Sequence, residues 1–97
     1  MTKNNLIKQV SKETGFTNVE VELLLDSVLN TIKVSLSKGD KVDIRGFGSF
    51  LVKKRSARDA HNPATREVVK LKERFVPSFK VSKILKDRVN KTLLRGF

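Results

Sequence analysis

Residues 40–76 read DKVDIRGFGSFLVKKRSARDAHNPATREVVKLKERFV, and this stretch decides the fold. Its period is two. Val42 and Ile44 alternate with Lys41, Asp43 and Arg45, which predicts a short strand. Gly46-Phe47-Gly48 follows as a turn, its glycines permitting backbone angles that other residues resist. A second strand is expected from Ser49 through Val52, continuing into Lys53-Lys54-Arg55-Ser56-Ala57-Arg58. Asn62-Pro63-Ala64-Thr65 is a turn signal, after which the chain returns over residues 67–76. On the return Val69, Leu71 and Phe75 point one way, and Lys70, Lys72 and Arg74 point the other. Residues 53–74 therefore predict a long two-stranded ribbon with a basic face. It holds too few apolar residues to be buried as ordinary sheet, so it is expected to project into solvent. An isolated ribbon of this kind is marginal in water and should be mobile until bound.

Outward from this stretch the pattern becomes helical. Leu6, Ile7 and Val10 predict a first helix from about residue 3 to Thr14, with Thr2 as N-cap and Gly15 as its stop. Thr17-Asn18-Val19-Glu20 fits a capping box, with Phe16 placed to staple the start of a second helix. That helix carries Val21, Leu24, Leu25, Val28, Leu29, Ile32 and Leu36 and ends at Lys38-Gly39. Its apolar stripe is wider than packing on one sheet requires, which fits a fully buried core helix or a core shared between two subunits. After the sheet, Val76-Pro77-Ser78-Phe79-Lys80 closes it, and a last helix is expected from Ser82 or Lys83 to Asn90. Residues 91–97 are left unassigned.

A chain of 97 residues makes one small domain with a limited core, so dimerisation is a ready source of further burial. The absence of cysteine excludes disulfides, cysteine zinc sites and thiol nucleophiles. No apolar run is long enough to span a membrane and no signal peptide is evident, so a cytoplasmic protein is expected. The formal charge of +11 is lopsided. Residues 1–39 hold five basic and four acidic side chains, whereas residues 40–97 hold sixteen and six. A near-neutral assembly half and a cationic half facing a polyanion follow from that split, with nucleic acid ahead of an anionic membrane.

Three motifs in order resemble one family. Arg45-Gly46-Phe47-Gly48-Ser49-Phe50 resembles the GFG-[NS]-F turn of the histone-like HU and integration host factor (IHF) proteins. Arg55-x-x-Arg58 followed by Asn62-Pro63-Ala64-Thr65 resembles their DNA-binding arm. Val76-Pro77-Ser78-Phe79-Lys80, then Lys83-x-Leu85-Lys86, resembles their closing segment. The resemblance spans about residues 2–90. It implies an α+β fold: an intertwined dimer with a helical body (residues 1–39), a short antiparallel sheet saddle, and one long β-ribbon arm per subunit (about 53–74).

The implied activity is architectural. Such a nucleoid-associated protein bends and compacts double-stranded DNA through its minor groove, with low sequence specificity, no cofactor, no small-molecule substrate and no catalysis. Pro63 would intercalate between base pairs. Lys53, Arg55, Arg58, Lys70, Lys72 and Arg74 would line the arm, and Lys3, Lys80, Lys83 and Lys86 would hold flanking DNA. Asn62 and Arg66 would reach groove acceptors, with His61 beside them among the DNA-binding residues. A homodimer is expected, with a heterodimer of homologous subunits as the alternative. Asp43-Ile44-Arg45 resembles the E-I-R segment of IHF's β subunit, where the arginine aids sequence preference; the plainer reading is a phosphate contact by Arg45 steadied by Asp43.

Departures from the pattern sit before the last helix, where Val81-Ser82 replaces a usual Pro-Gly and Ser82 is placed to cap instead, and at the arm tip. His61 stands where the family usually has arginine, and Ala60 and Arg66 replace two usual glycines. Arg66 would thereby supply the cation that His61 lacks at neutral pH. His61 has no ligand partners for a metal site, and no nucleophile arrangement or paired acid cluster points to an enzyme. Phe16, Phe47, Phe50, Phe75 and Phe79, beside glycine turns and apolar positions, are expected in the core rather than stacked on bases.

Overall fold

The computed structural model describes residues 1–61, 64, 65 and 67–95, excluding the side chains of Arg58, Ala60, His61, Val69, Leu71 and Arg95. It is an α+β chain that divides into two compact units, Met1–Ser35 and the remainder from Leu36. That boundary falls a few residues before the one expected at 39.

In the first unit α1 (Lys3–Thr14) and most of α2 (Asn18–Ser37) pair as helices. Thr2 caps α1 reciprocally: the Asn5 N–H donates to Thr2 Oγ1 at 3.3 Å, and the Thr2 N–H donates to Asn5 Oδ1 at 2.9 Å. Gly15 ends the helix at φ 82°, a left-handed conformation that costs glycine nothing sterically. The Thr17–Glu20 box forms as read, with the Glu20 N–H donating to Thr17 Oγ1 at 3.1 Å and Thr17 Oγ1 to Glu20 Oε1 at 2.9 Å. Ile7 and Val21 are the only buried apolar side chains among the described residues. Leu23, Leu24 and Val28 of α2 remain 69%, 56% and 55% exposed.

The second unit is built on a three-stranded antiparallel sheet of order β1-β2-β5: Val42–Ile44, Gly48–Arg55 and Arg74–Val81. Phe50 lies opposite Phe79, and the Phe79 ring packs against Phe50 and Phe47 with centroids 4.9 and 5.3 Å apart. Phe47, Phe50 and Phe79 thus cluster, but of the five rings expected in the core only Phe50 is not exposed in the single chain: Phe47 and Phe79 stand 46% and 43% exposed, and Phe16 and Phe75 half and two-thirds exposed. Phe75 lies near the outer end of β5, where the sheet has narrowed to two strands and offers little to cover a ring.

Two further elements depart from the sequence reading. The ribbon is not continuous: β3 (Arg58–His61) and β4 (Val68–Leu71) form a separate two-stranded sheet. Ser56-Ala57 and Lys72-Glu73 lie between the two ladders. The last helix, α3, runs from Lys83 to Arg95 and passes the expected end at Asn90. Nothing in Lys91-Thr92-Leu93-Leu94-Arg95 breaks a helix, and the first glycine comes only at residue 96. Ser82 caps α3 as expected, its Oγ accepting the Leu85 N–H at 3.1 Å.

Candidate nucleic-acid interface

Strand periodicity sorts the cations of the sheet. In the β2–β5 register, Leu51 faces Ser78, Lys53 faces Val76 and Arg55 faces Arg74, while Lys80 faces Ser49. Alternation places Lys53, Arg55, Arg74 and Lys80 on one side and Phe50, Val52, Pro77 and Phe79 on the other. The first side is basic and the second apolar. Lys41, just before β1, joins Lys53 and Lys80 around a shallow groove lined also by Leu51 and Ser78. Sequence reading missed Lys41 because it precedes the first strand and belongs to none of the motifs. Its parity with Asp43, which lies opposite Ser49, was the available signal.

The described candidate cations fall on several elements. Arg45 stands exposed in the turn after β1. Asp43, expected to steady it, instead accepts a hydrogen bond from the Ser49 hydroxyl at 2.7 Å. Lys70 in β4 lies directly opposite Asp59 in β3, and Lys72 lies between the two ladders. Lys83 and Lys86 occupy the first turns of α3 and are exposed. The backbones of Arg58 and His61 belong to β3, and Asn62, Pro63 and Arg66 lie outside the described residues.

Lys3 is the candidate whose surroundings differ most from expectation. Its ammonium is 2.7 Å from Asp26 Oδ1, so α1 and α2 are joined by an ion pair. The hydrogen bond to Asp26 raises its pKa above the usual lysine value, aided by the charges of Asp26 and Glu22. Within the first unit, Lys3 therefore already has a carboxylate partner, which offsets its charge toward a phosphate.

Comparison with known proteins places this arrangement. The family described as bacterial DNA-binding protein matches residues 1–90. The chain belongs to that family, which includes HU and IHF. It is 49% identical over 89 residues to DNA-binding protein HU of Thermotoga maritima, covering 92% of this chain and 99% of the relative. It is 41% identical over 98 aligned positions to IHF subunit beta of Marinobacter nauticus, spanning the whole of both proteins. Among solved structures it superposes on Anabaena HU in a cocrystal with DNA, with TM-score 0.84 and 35% identity. That match covers 92% of this chain and 97% of the other. As a family member, the chain carries α3 past the end of the 1–90 match, to Arg95.

Proposed function

We propose that this protein is an architectural DNA-binding protein, a dimer that binds double-stranded DNA on its basic sheet face and bends it with its arms. The observation that carries the reading is the run of Lys41, Lys53, Arg55, Arg74 and Lys80 on one sheet face, in a family whose Anabaena relative was crystallised with DNA. Cations at this spacing neutralise successive phosphates and release condensed counterions, which gives affinity without base reading. Pro63 serves as the wedge at the arm tip: apolar, rigid and without an N–H to strand between bases. Bending about 20–30 base pairs through 40–90° costs roughly 1–6 kcal/mol, which the added phosphate contacts offset. The role is binding without bond chemistry, and the protein works in the cytoplasm on the nucleoid. No helix among the described residues is long and apolar enough to cross a membrane.

Exposed apolar side chains support the dimer. Leu23, Leu24 and Val28 of α2 are uncovered, and a second copy is the occupant the reading assigns. The full-length match to an IHF β subunit favours a second reading, a site-specific heterodimer subunit, and selection from random duplexes that enriched a motif would select it.

The test is a salt titration on a duplex of about 35 base pairs, with a bend readout, in which log K falls by about 0.9 per phosphate neutralised for each tenfold rise in salt. Lys53→Gln removes one contact per subunit, so in a dimer the slope should flatten by about 1.8. Pro63→Ala should keep the slope and lose much of the bend. A slope unchanged by Lys53→Gln removes the sheet face from the interface, and equal bending by Pro63→Ala removes the wedge.

A further inference from the structure

The two ladders of the ribbon share one register. The first ends at Arg55 opposite Arg74, and the second begins at Arg58 opposite Leu71. Carrying the first register onward places Ser56 opposite Glu73 and Ala57 opposite Lys72, then Arg58 opposite Leu71 as observed. No residue is inserted on either strand, so the interruption is not a β-bulge, which sets two residues against one. It is a gap of two rungs that opens equally on both sides. Its composition explains it: alanine, lysine and glutamate are poor strand formers. The rung beside it, Arg55 against Arg74, sets two like charges face to face.

One interaction crosses from the sheet into this gap. Lys54 Nζ lies 2.9 Å from Glu73 Oε1. Lys54 is opposite Phe75, so Glu73 is its diagonal neighbour two residues on, within reach on the same face. By parity that face is the one opposite Lys53, Arg55, Arg74 and Lys80. The ion pair therefore reaches the first rung of the gap on its back face, and the DNA-facing cations line its front. Flexing at that rung toward the front lengthens the separation of Lys54 and Glu73.

Resting on the DNA-binding reading above, we propose that the gap is the hinge of the arm. Lys54 and Glu73 are then its positioning residues, a latch on the back face that holds the arm away from the DNA side. Duplex DNA on the front face draws the arm forward and opens the latch. Phosphates between Arg55 and Arg74 relieve their repulsion at the same step. An exposed pair of this kind shifts a two-state equilibrium by up to about fivefold, enough to bias the arm and weak enough for DNA to overcome.

The test uses the absence of native cysteine. Spin labels go on Thr65→Cys and Lys38→Cys, and the labelled protein is diluted with unlabelled protein so that only intrachain distances are read. Pulsed electron–electron resonance then gives the distance distribution between arm and sheet unit without DNA. Glu73→Gln should broaden and shift it. Glu67→Gln, the same charge change outside the gap, should leave it as in the parent. The exchanged pair Lys54→Glu/Glu73→Lys should restore the parent distribution. Salt near 1 M, where screening acts within about 3 Å, should move the parent toward Glu73→Gln. Adding duplex DNA should bring all of these proteins to one common distribution. If Glu73→Gln matches the parent, or the exchanged pair fails to restore it, the latch is overturned. Because those arms need no DNA, failure to bind duplex counts against the function and leaves the latch result readable.

Discussion

At the residue scale, two neighbouring glycines, Gly46 in the turn after β1 and Gly48 at the start of β2, have unrelated reasons for being glycine. Gly46 sits at φ 82° with open space where a Cβ would go, so its requirement is conformational. Gly48 has no such backbone angle and is required for space. A Cβ there would lie 2.5 Å from Phe79 Cζ and 2.6 Å from the Lys80 carbonyl oxygen. The ring could shift, but the β5 backbone, hydrogen-bonded opposite, cannot move without breaking its rung. Gly48→Ala should therefore destabilise the protein by about 1–3 kcal/mol, as overpacking does. Urea unfolding of the DNA-free protein checks this, and an unchanged midpoint would show that the strand slides to make room. The sequence made Gly46-Phe47-Gly48 legible as a turn. It could not separate the two glycines, because the atoms that exclude a Cβ at Gly48 belong to a strand some thirty residues later.

At the element scale, helix boundaries set by local chemistry were readable and those set by its absence were not. Thr17 and Glu20 mark the start of α2 because both backbone donors are met within three residues. Thr17→Ala should cost about 0.5–2 kcal/mol, measurable as a lower unfolding midpoint, while Thr17→Ser should recover most of it. The end of α3 was misjudged because the family resemblance stops near residue 90 while helix propensity does not. The gap in the ribbon was missed for the converse reason. The alternation does falter there, since Glu73 stands in the row of Val69, Leu71 and Phe75, but period two reports which face a residue takes without reporting whether its rung is bonded. Lys53, Arg55, Arg74 and Lys80 were named through the family resemblance, Lys80 apart from the other three, and it is the β2–β5 register that puts the four on one face. Lys41 escaped because it precedes the strand, and the pairing of Lys3 with Asp26 because it joins two different helices.

At the scale of the whole molecule, the chain is 38% hydrophobic, yet its described residues bury only Ile7 and Val21 among apolar side chains. Burial contributes about 25 cal/mol per Å², so a subunit left with leucines and valines open to water lacks most of the driving force that holds a domain against chain entropy. Folding and association should then be one event. The thermal midpoint of the DNA-free protein should fall with each tenfold dilution, as it does for obligate dimers. A midpoint independent of concentration would mean that the single chain is self-sufficient. The lopsided charge belongs to this scale as well. The near-neutral first unit lets two copies approach without mutual repulsion, while the cationic remainder is left for the polyanion.

The unbroken register across the gap also constrains how this lineage can alter the length of its arm. A residue added to one strand alone slips every rung beyond it and turns the tip's side chains over. A residue added to each strand keeps the rungs matched yet still inverts the tip, since successive positions alternate in facing. Only two residues per strand preserve which way the tip looks, so the span of the grip changes in indivisible steps of about 7 Å.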